Sequence, residues 1–361
     1  MILSLFNIFL FATEVVTLLA KIALIFIQQM AKWVLTQPRK HVTGQVVVIT
    51  GAGSGIGRAL AMRFAIQLSA VTVLWDVDRD SVEEAAREIR AQGGVAHAMT
   101  VDVSDEKRVE VAARQVREQV GAVYMVINNA GVVPCLPFNE LTYQQIRNTF
   151  DVNVMSHFWT LKQFLPVMEE CGRGHIVAIA SSAGIMGSPY FTAYGSSKHG
   201  VVGLMSSLRK ELHAMDKHTQ IKMTTICPLG ISGTRIDIPT RTRFPKILPI
   251  MTLDFAVDQM VDGILREEDL FVIPLTFRWI YFVHRLVHFP IPYHYMPVLC
   301  VETRLIKCLL SFERSLCPLK VSQLLFEFLD YAVEPPGFNA PVGRSHYHDN
   351  HRVNSNHRNH H

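Results

Sequence analysis

The chain has 361 residues, with 35 Lys and Arg against 31 Asp and Glu and a formal net charge of +4. One large α/β domain with extensions fits that length, and the interspersed charges exclude the basic footprint of a nucleic-acid binder. The six cysteines are scattered with no C-x-x-C pair, which excludes a disulfide framework and a cysteine zinc site and suits a reducing compartment.

Residues 1–36 are strongly apolar, yet Asn7, Glu14, Lys21 and Gln28 recur every seven residues and form a narrow polar stripe on a helix. A lipid-exposed span would carry Glu14 and Lys21 near its middle, at a cost of about 3 kcal/mol each. A cleavable signal peptide fits poorly, because no basic region precedes the apolar run. A transmembrane anchor would put the following domain on the cytosolic side through Lys32, Arg39 and Lys40. A monotopic helix lying in one leaflet also suits the stripe, and a helix packed on the domain is the remaining alternative.

Val46–Ile49 reads as a buried strand and runs into TGAGSGIG, Thr50–Gly57, followed by a helical pattern. Gly51 permits a sharp turn, Gly55 lets backbone approach a pyrophosphate, and Gly57 lets helix and strand pack closely. The helix N-terminus around Ser54 and Ile56 offers free N–H groups to phosphates. The next strand, Val71–Trp75, ends at Asp76, about twenty residues beyond the glycine turn. A carboxylate there accepts both ribose hydroxyls and repels a 2′-phosphate, so NAD is favoured; Arg79 nearby leaves NADP possible. The other reading of Asp76 is a residue at the start of the helix near Asp80 and Ser81.

A third strand, Ala96–Val101, leads to Asp102 and Val103 at the expected adenine edge. A fourth, Val123–Ile127, leads to Asn128, Asn129, Ala130 and Gly131, a small turn held by side-chain to backbone bonds beside a cofactor. This alternation predicts a Rossmann-type, doubly wound parallel sheet with its site at the strand C-termini.

The run His175–Ala180 predicts another strand, ending at Ser181. Tyr194 and Lys198 follow, four residues apart and on one face of a helix. An ammonium beside a phenol favours the phenolate, so the pair suits proton transfer, and Ser181 can hold a substrate oxygen nearby. The plain alternatives are a half-buried tyrosine with an exposed lysine and a strand-end turn serine.

Lys222–Cys227 reads as the sixth strand. Beyond Pro228 lie Gly230, Ile231, Gly233 and Thr234, then a basic, proline-containing loop and a helix over Leu253–Arg266. Phe271–Pro274 reads as the last strand. Arg278–Cys300 places Arg278, Arg285 and His288 opposite Trp279, Phe282, Val283 and Val287. Such a surface suits membrane docking or a cap that closes the cleft. Residues 333–361 are polar, hold six of the sixteen histidines, and read as a disordered tail. The predicted organisation is an N-terminal apolar anchor helix (1–36), an NAD-binding catalytic domain (41–275), a C-terminal amphipathic helical extension (276–332) and that tail.

In order, Thr50-Gly-x-x-x-Gly-x-Gly57, Asp102, Asn128-Asn-Ala-Gly131, Asn153, Ser181, Tyr194 and Lys198 resemble the short-chain dehydrogenase/reductase superfamily over about residues 44–230. The apolar N-terminus, Trp75–Asp78 and Asp151–Thr160 resemble its membrane- and lipid-droplet-associated branch of retinol and 17β-hydroxysteroid dehydrogenases. The resemblance implies that Tyr194 is the acid/base, that Lys198 lowers its pKa and binds the nicotinamide ribose, and that Ser181, rather than Ser182, orients the substrate oxygen. Asn153 would anchor a water linking Lys198 to solvent. The backbone of Ile231 would meet the carboxamide, and Thr234 stands one position later than the family's threonine. The substrate would be a lipophilic alcohol, retinol- or hydroxysteroid-like. The protein would be a homodimer at the endoplasmic reticulum or lipid-droplet surface, facing the cytosol. The alternatives are a lipid-surface scaffold with vestigial turnover and an NADPH-dependent carbonyl reductase.

Overall fold

The computed structural model describes residues 12–21, 23, 24, 27, 37–234, 250–274 and 277. The 276–332 extension and the 333–361 tail therefore lie outside the described residues, apart from Phe277. Residues 12–21 are helical and exposed. Among the described residues, no helix is long and apolar enough to cross a membrane.

Seven strands form one sheet: β1 (Val46–Thr50), β2 (Val71–Asp76), β3 (Val95–Thr100), β4 (Val123–Asn128), β5 (Gly174–Ile179), β6 (Ile221–Pro228) and β7 (Leu270–Ile273). Their order is β3-β2-β1-β4-β5-β6-β7, and every pairing is parallel. Parallel pairing needs long crossovers, which the helices supply: α1 (Gly55–Met62), α2 (Arg79–Ala91), α3 (Glu106–Gln119), α4 (Tyr143–Phe150), α5 (Ser156–Glu170), α6 (Thr192–Ala214) and α7 (Leu253–Leu265). The doubly wound parallel sheet read from the sequence is thus the observed fold.

Successive strand residues feed opposite layers, as the period of two requires. Val47 and Ile49 join Leu60, Val82, Ile89 and Met260 in one core. Val46 and Val48 join Trp75, Val109, Phe164 and Met205 in the other. Helix starts follow capping chemistry: Asp78 accepts from the Ser81 amide, Asp105 from the Lys107 and Arg108 amides, and Thr142 and Gln145 form a reciprocal pair. Between α4 and α5 the helix widens into a π turn over Asp151–Met155, where the Ser156 amide reaches back to the Asp151 carbonyl.

Strand order reverses between β1 and β4, so a crevice opens above their C-terminal ends. At the opposite pole, residues 37–42 are fastened to the domain. The Lys40 amide donates to the Leu265 carbonyl, and Arg39 pairs with Asp262 at 2.7 Å. Lys40 Nζ lies 2.5 Å from His175 Nδ1 and 3.1 Å from the Tyr124 hydroxyl. Burial lowers Lys40 to about 8, and His175 is held well below its usual range by burial and the neighbouring lysines. His175 is therefore neutral: Nδ1 accepts from Lys40, and Nε2–H donates to Thr224 Oγ1 at 2.9 Å.

Candidate active site

The glycine turn closes the C-terminal end of β1. Gly51 and Gly55 adopt φ of +64° and +52°, where a side chain is strained. Gly57 has no room for one, since a Cβ there would lie 2.1 Å from the Gly51 carbonyl oxygen and 2.6 Å from Asn129 Nδ2. Among the described residues, the nearest atoms to a Cβ built at Gly55 belong to Thr234, 3.8 Å away. A bare, positively polarised helix start fits a pyrophosphate. Thr234, despite its late position after Pro228, lies over this turn.

Asp76 is tied to the same turn. Its carboxylate accepts the Gly53 N–H at 2.8 Å and the Asp78 N–H at 3.0 Å. Asp78, not Asp76, caps α2, so Asp76 is not the helix-start residue of the plainer reading. Each carboxylate oxygen keeps a lone pair for a ribose hydroxyl. Asp102, past β3, accepts from the Ser104 amide at 3.0 Å and hydroxyl at 2.7 Å, which shapes the turn that carries Val103.

Thr50 and Asn129 join the ends of β1 and β4. Thr50 Oγ1 accepts the Asn129 and Ala130 amides, both at 3.0 Å, and Asn129 Nδ2 donates to the Thr50 carbonyl at 2.9 Å. Sequence reasoning gave Thr50 no such role; a hydroxyl immediately before the turn glycine was the available signal. Gly131 then brings the chain beside the proton-transfer residues, where a Cβ would lie 3.3 Å from Asn153 Oδ1 and 3.7 Å from Lys198 Nζ.

Ser181 follows β5, and Tyr194 and Lys198 lie in the first turns of α6. The structure brings all three together with Asn153. Burial pushes the Tyr194 phenol up, the Ser181 side-chain hydrogen bond pulls it down, and Cys227 adds to the upward push. The expected lowering by Lys198 is therefore not the net result here. Lys198 is itself brought down to about 8 by burial. Its Nζ donates to the Ile179 carbonyl at 2.8 Å and sits 5.8 Å from the Tyr194 ring centroid.

Asn153 is fully buried in the π turn. Its Oδ1 accepts the Val132 amide at 2.8 Å, and its Nδ2 donates to the Val132 carbonyl at 3.0 Å and Ser197 Oγ at 2.9 Å. The carboxamide thus locks the segment after β4 to α6, leaving one Oδ1 lone pair for a water. Two further neighbours of Lys198 had no place in the sequence reading. Burial and the Lys198 charge lower buried His157 to about 3. Burial raises Cys227 to about 12, against the pull of the Ser181 backbone and Lys198. Neither carries a chemical spacing signal of its own, so only the fold reveals their place beside Lys198.

Ile231 lies beyond β6 and forms a parallel bridge with Met251. Ser232 N–H donates to the Met251 carbonyl at 2.9 Å, and Met251 N–H to the Gly230 carbonyl at 3.1 Å. These bonds close the base of the loop between β6 and α7 beside the crevice.

A glycine turn, a tethered acid and a Ser–Tyr–Lys cluster at a topological switch point describe a dinucleotide-dependent site, and comparison with known proteins agrees. The family model described as short chain dehydrogenase matches residues 45–243. The chain belongs to the short-chain dehydrogenase family. It is 38% identical to human 17-beta-hydroxysteroid dehydrogenase 13 over 261 residues, covering 72% of this chain and 85% of that protein. It is 38% identical to mouse epidermal retinol dehydrogenase 2 over 251 residues, covering 69% and 79%. A short-chain dehydrogenase/reductase from Burkholderia phymatum, solved in complex with NAD, superposes with a TM-score of 0.61 at 25% identity, covering 69% of this chain and 96% of that one. This short-chain dehydrogenase is an oxidoreductase that acts on alcohols with a nicotinamide cofactor.

Proposed function

We propose that this protein exchanges a hydride between NAD and a lipophilic, retinol- or hydroxysteroid-like alcohol at a membrane or lipid-droplet surface. The observation that carries the reading is the convergence of Ser181, Tyr194 and Lys198 beside the glycine turn and Asp76. NAD, when bound, supplies the hydride acceptor. Gly51, Ser54, Gly55 and Ile56 would hold its phosphates, Asp76 its ribose, Asp102 and Val103 its adenine edge. Asn129, Ala130, Gly131 and Ile231 would line its nicotinamide half.

In the oxidising direction, Tyr194 Oη takes the hydroxyl proton while the Ser181 hydroxyl holds the same substrate oxygen. Burial raises the phenol and the Ser181 hydrogen bond favours its ionised form, and the Lys198 charge near the ring would add to the latter. Asn153 keeps Val132 and α6 in register, so Lys198 stays beside the turn at Gly131. In reduction the same proton returns from Tyr194.

Membrane or lipid-droplet attachment is supported by the apolar N-terminus. Its described residues Val16, Leu18, Leu19, Leu24 and Ile27 are all exposed. A homodimer is supported by exposed Tyr143, Phe150 and Phe158 along α4 and α5.

The test follows NADH formation by the full-length, detergent-solubilised protein with retinol, estradiol and a fatty alcohol. Tyr194→Phe is expected to lower kcat at least about a hundredfold. Full turnover by that variant on every alcohol would refute the mechanism.

A further inference from the structure

Ser188-Pro189-Tyr190-Phe191 forms a tight turn just before the catalytic helix. The Phe191 amide donates to the Ser188 carbonyl at 3.4 Å. Proline occupies the second position and Tyr190 the third, with φ of +65°. That is the pattern of a type II turn, whose third position belongs to glycine because a side chain crowds the backbone there. A bulky residue kept in this conformation is strained, and such strain persists where the surroundings hold it.

What holds it is the opposite wall of the crevice. The Tyr190 carbonyl accepts the Leu136 amide at 3.1 Å. Leu136 ends the half-buried, wholly apolar run Val132-Val-Pro-Cys-Leu136, whose first residue is fixed by Asn153. On the other side the turn passes straight into α6. The Gly195 amide bonds back to the Phe191 carbonyl at 2.6 Å, and the Phe191 ring lies 5.7 Å from the Tyr194 ring. The apolar wall and the tyrosine wall are thus joined at the inner end through Asn153 and at the outer end through Tyr190.

We propose that Tyr190 is a positioning residue that sets the width of the cleft. Its left-handed backbone holds the hydrogen bond between the two walls and so selects which lipophilic alcohols reach Tyr194. This rests on the oxidoreductase reading above. A glycine at 190 removes the ring and is free to leave the left-handed region as well as to occupy it, so the outer strap can open. A phenylalanine keeps both the strain and the ring.

The experiment compares full-length wild type, Tyr190→Gly and Tyr190→Phe with estradiol and with cyclohexanol, together with melting temperature and calorimetric binding of estradiol to the NADH-loaded protein. Tyr190→Gly is expected to lower the ratio of kcat/KM for estradiol over cyclohexanol about tenfold, mainly through KM, and to weaken estradiol binding to match, with no drop in melting temperature. Tyr190→Phe is expected to keep the ratio within about twofold. If the glycine variant does not fold, Tyr190→Asn replaces it, since asparagine tolerates the left-handed region. An unchanged ratio with intact turnover, or a fall equal for both alcohols, overturns the proposal. Absence of turnover by wild type with any alcohol would sink the oxidoreductase reading instead, and the cleft proposal would then stand or fall on estradiol binding alone.

Discussion

Replacing Asp76 by alanine separates two jobs that the structure gives one carboxylate. The first is mechanical: Asp76 accepts the Gly53 amide at 2.8 Å and the Asp78 amide at 3.0 Å, fastening the glycine turn to the end of β2. Charge-assisted bonds of this kind are each worth about 1.5–3 kcal/mol when buried. The site is half-exposed, so water replaces part of the loss and a total cost of about 1–2 kcal/mol is expected. The second job is discrimination. Two like unit charges about 5 Å apart at an effective dielectric of about 20 repel by about 3 kcal/mol. Screening at a half-exposed site reduces this, leaving about tenfold to hundredfold in favour of NAD over NADP. The assay is kcat/KM with each dinucleotide on one alcohol, alongside a thermal melt. Asp76→Ala should lower the melting temperature by a few degrees and shift the NAD/NADP ratio at least about tenfold towards NADP. A lowered melting temperature with an unchanged ratio would show that the acid is only a clamp for the turn.

Gly57→Ala places a methyl group 2.1 Å from the Gly51 carbonyl oxygen, a backbone atom that cannot swing aside. About 3 kcal/mol or more of stability should be lost and dinucleotide binding abolished, read by urea unfolding and NADH fluorescence. His157 is buried and neutral, lowered to about 3 where the unfolded chain keeps 6.5. Between those values only the unfolded state takes up the proton, so stability falls as pH falls, by about 2 kcal/mol from pH 7 to pH 5 through this group. His157→Gln should flatten that slope in urea titrations while the share of His175 remains; identical slopes would refute the assignment.

The nucleotide half was legible because its chemistry is local. A strand, three glycines and an acid at the end of the next strand need only a few neighbouring residues to declare themselves. Gly51 makes the turn, Gly57 the close packing, and Asp76 ends β2. The tyrosine–lysine spacing likewise predicted one helix and one face. The electrostatics were less legible. Whether Lys198 lowers Tyr194 depends on where its ammonium is anchored, and the anchor is the Ile179 carbonyl on a different element. The side-chain bonds of Asn153 depend on Val132 and Ser197, neither of which carries a signal in a linear reading. Tyr190 left a faint one: a proline followed by a residue forced into a conformation that tyrosine avoids. Such features come from long-range packing overriding local preference, and only the assembled chain displays them.

The wide turn at Asp151–Met155 has a consequence for chain length rather than composition. A π turn contains one residue more than the α-helix around it. Deleting a residue there would let the helix close into regular form with the positions beyond it close to their present register, whereas deleting one from α4 would rotate every position beyond by about 100°. His157 would leave the neighbourhood of Lys198, and Thr160 would lose the bond it donates to Asn128 at 2.9 Å. A single-codon deletion in α4 is therefore all-or-none, whereas one inside the wide turn is absorbed by the loss of the turn itself. The wide turn that carries Asn153 thus buffers the following helix against a change of length that the regular helix before it cannot take up.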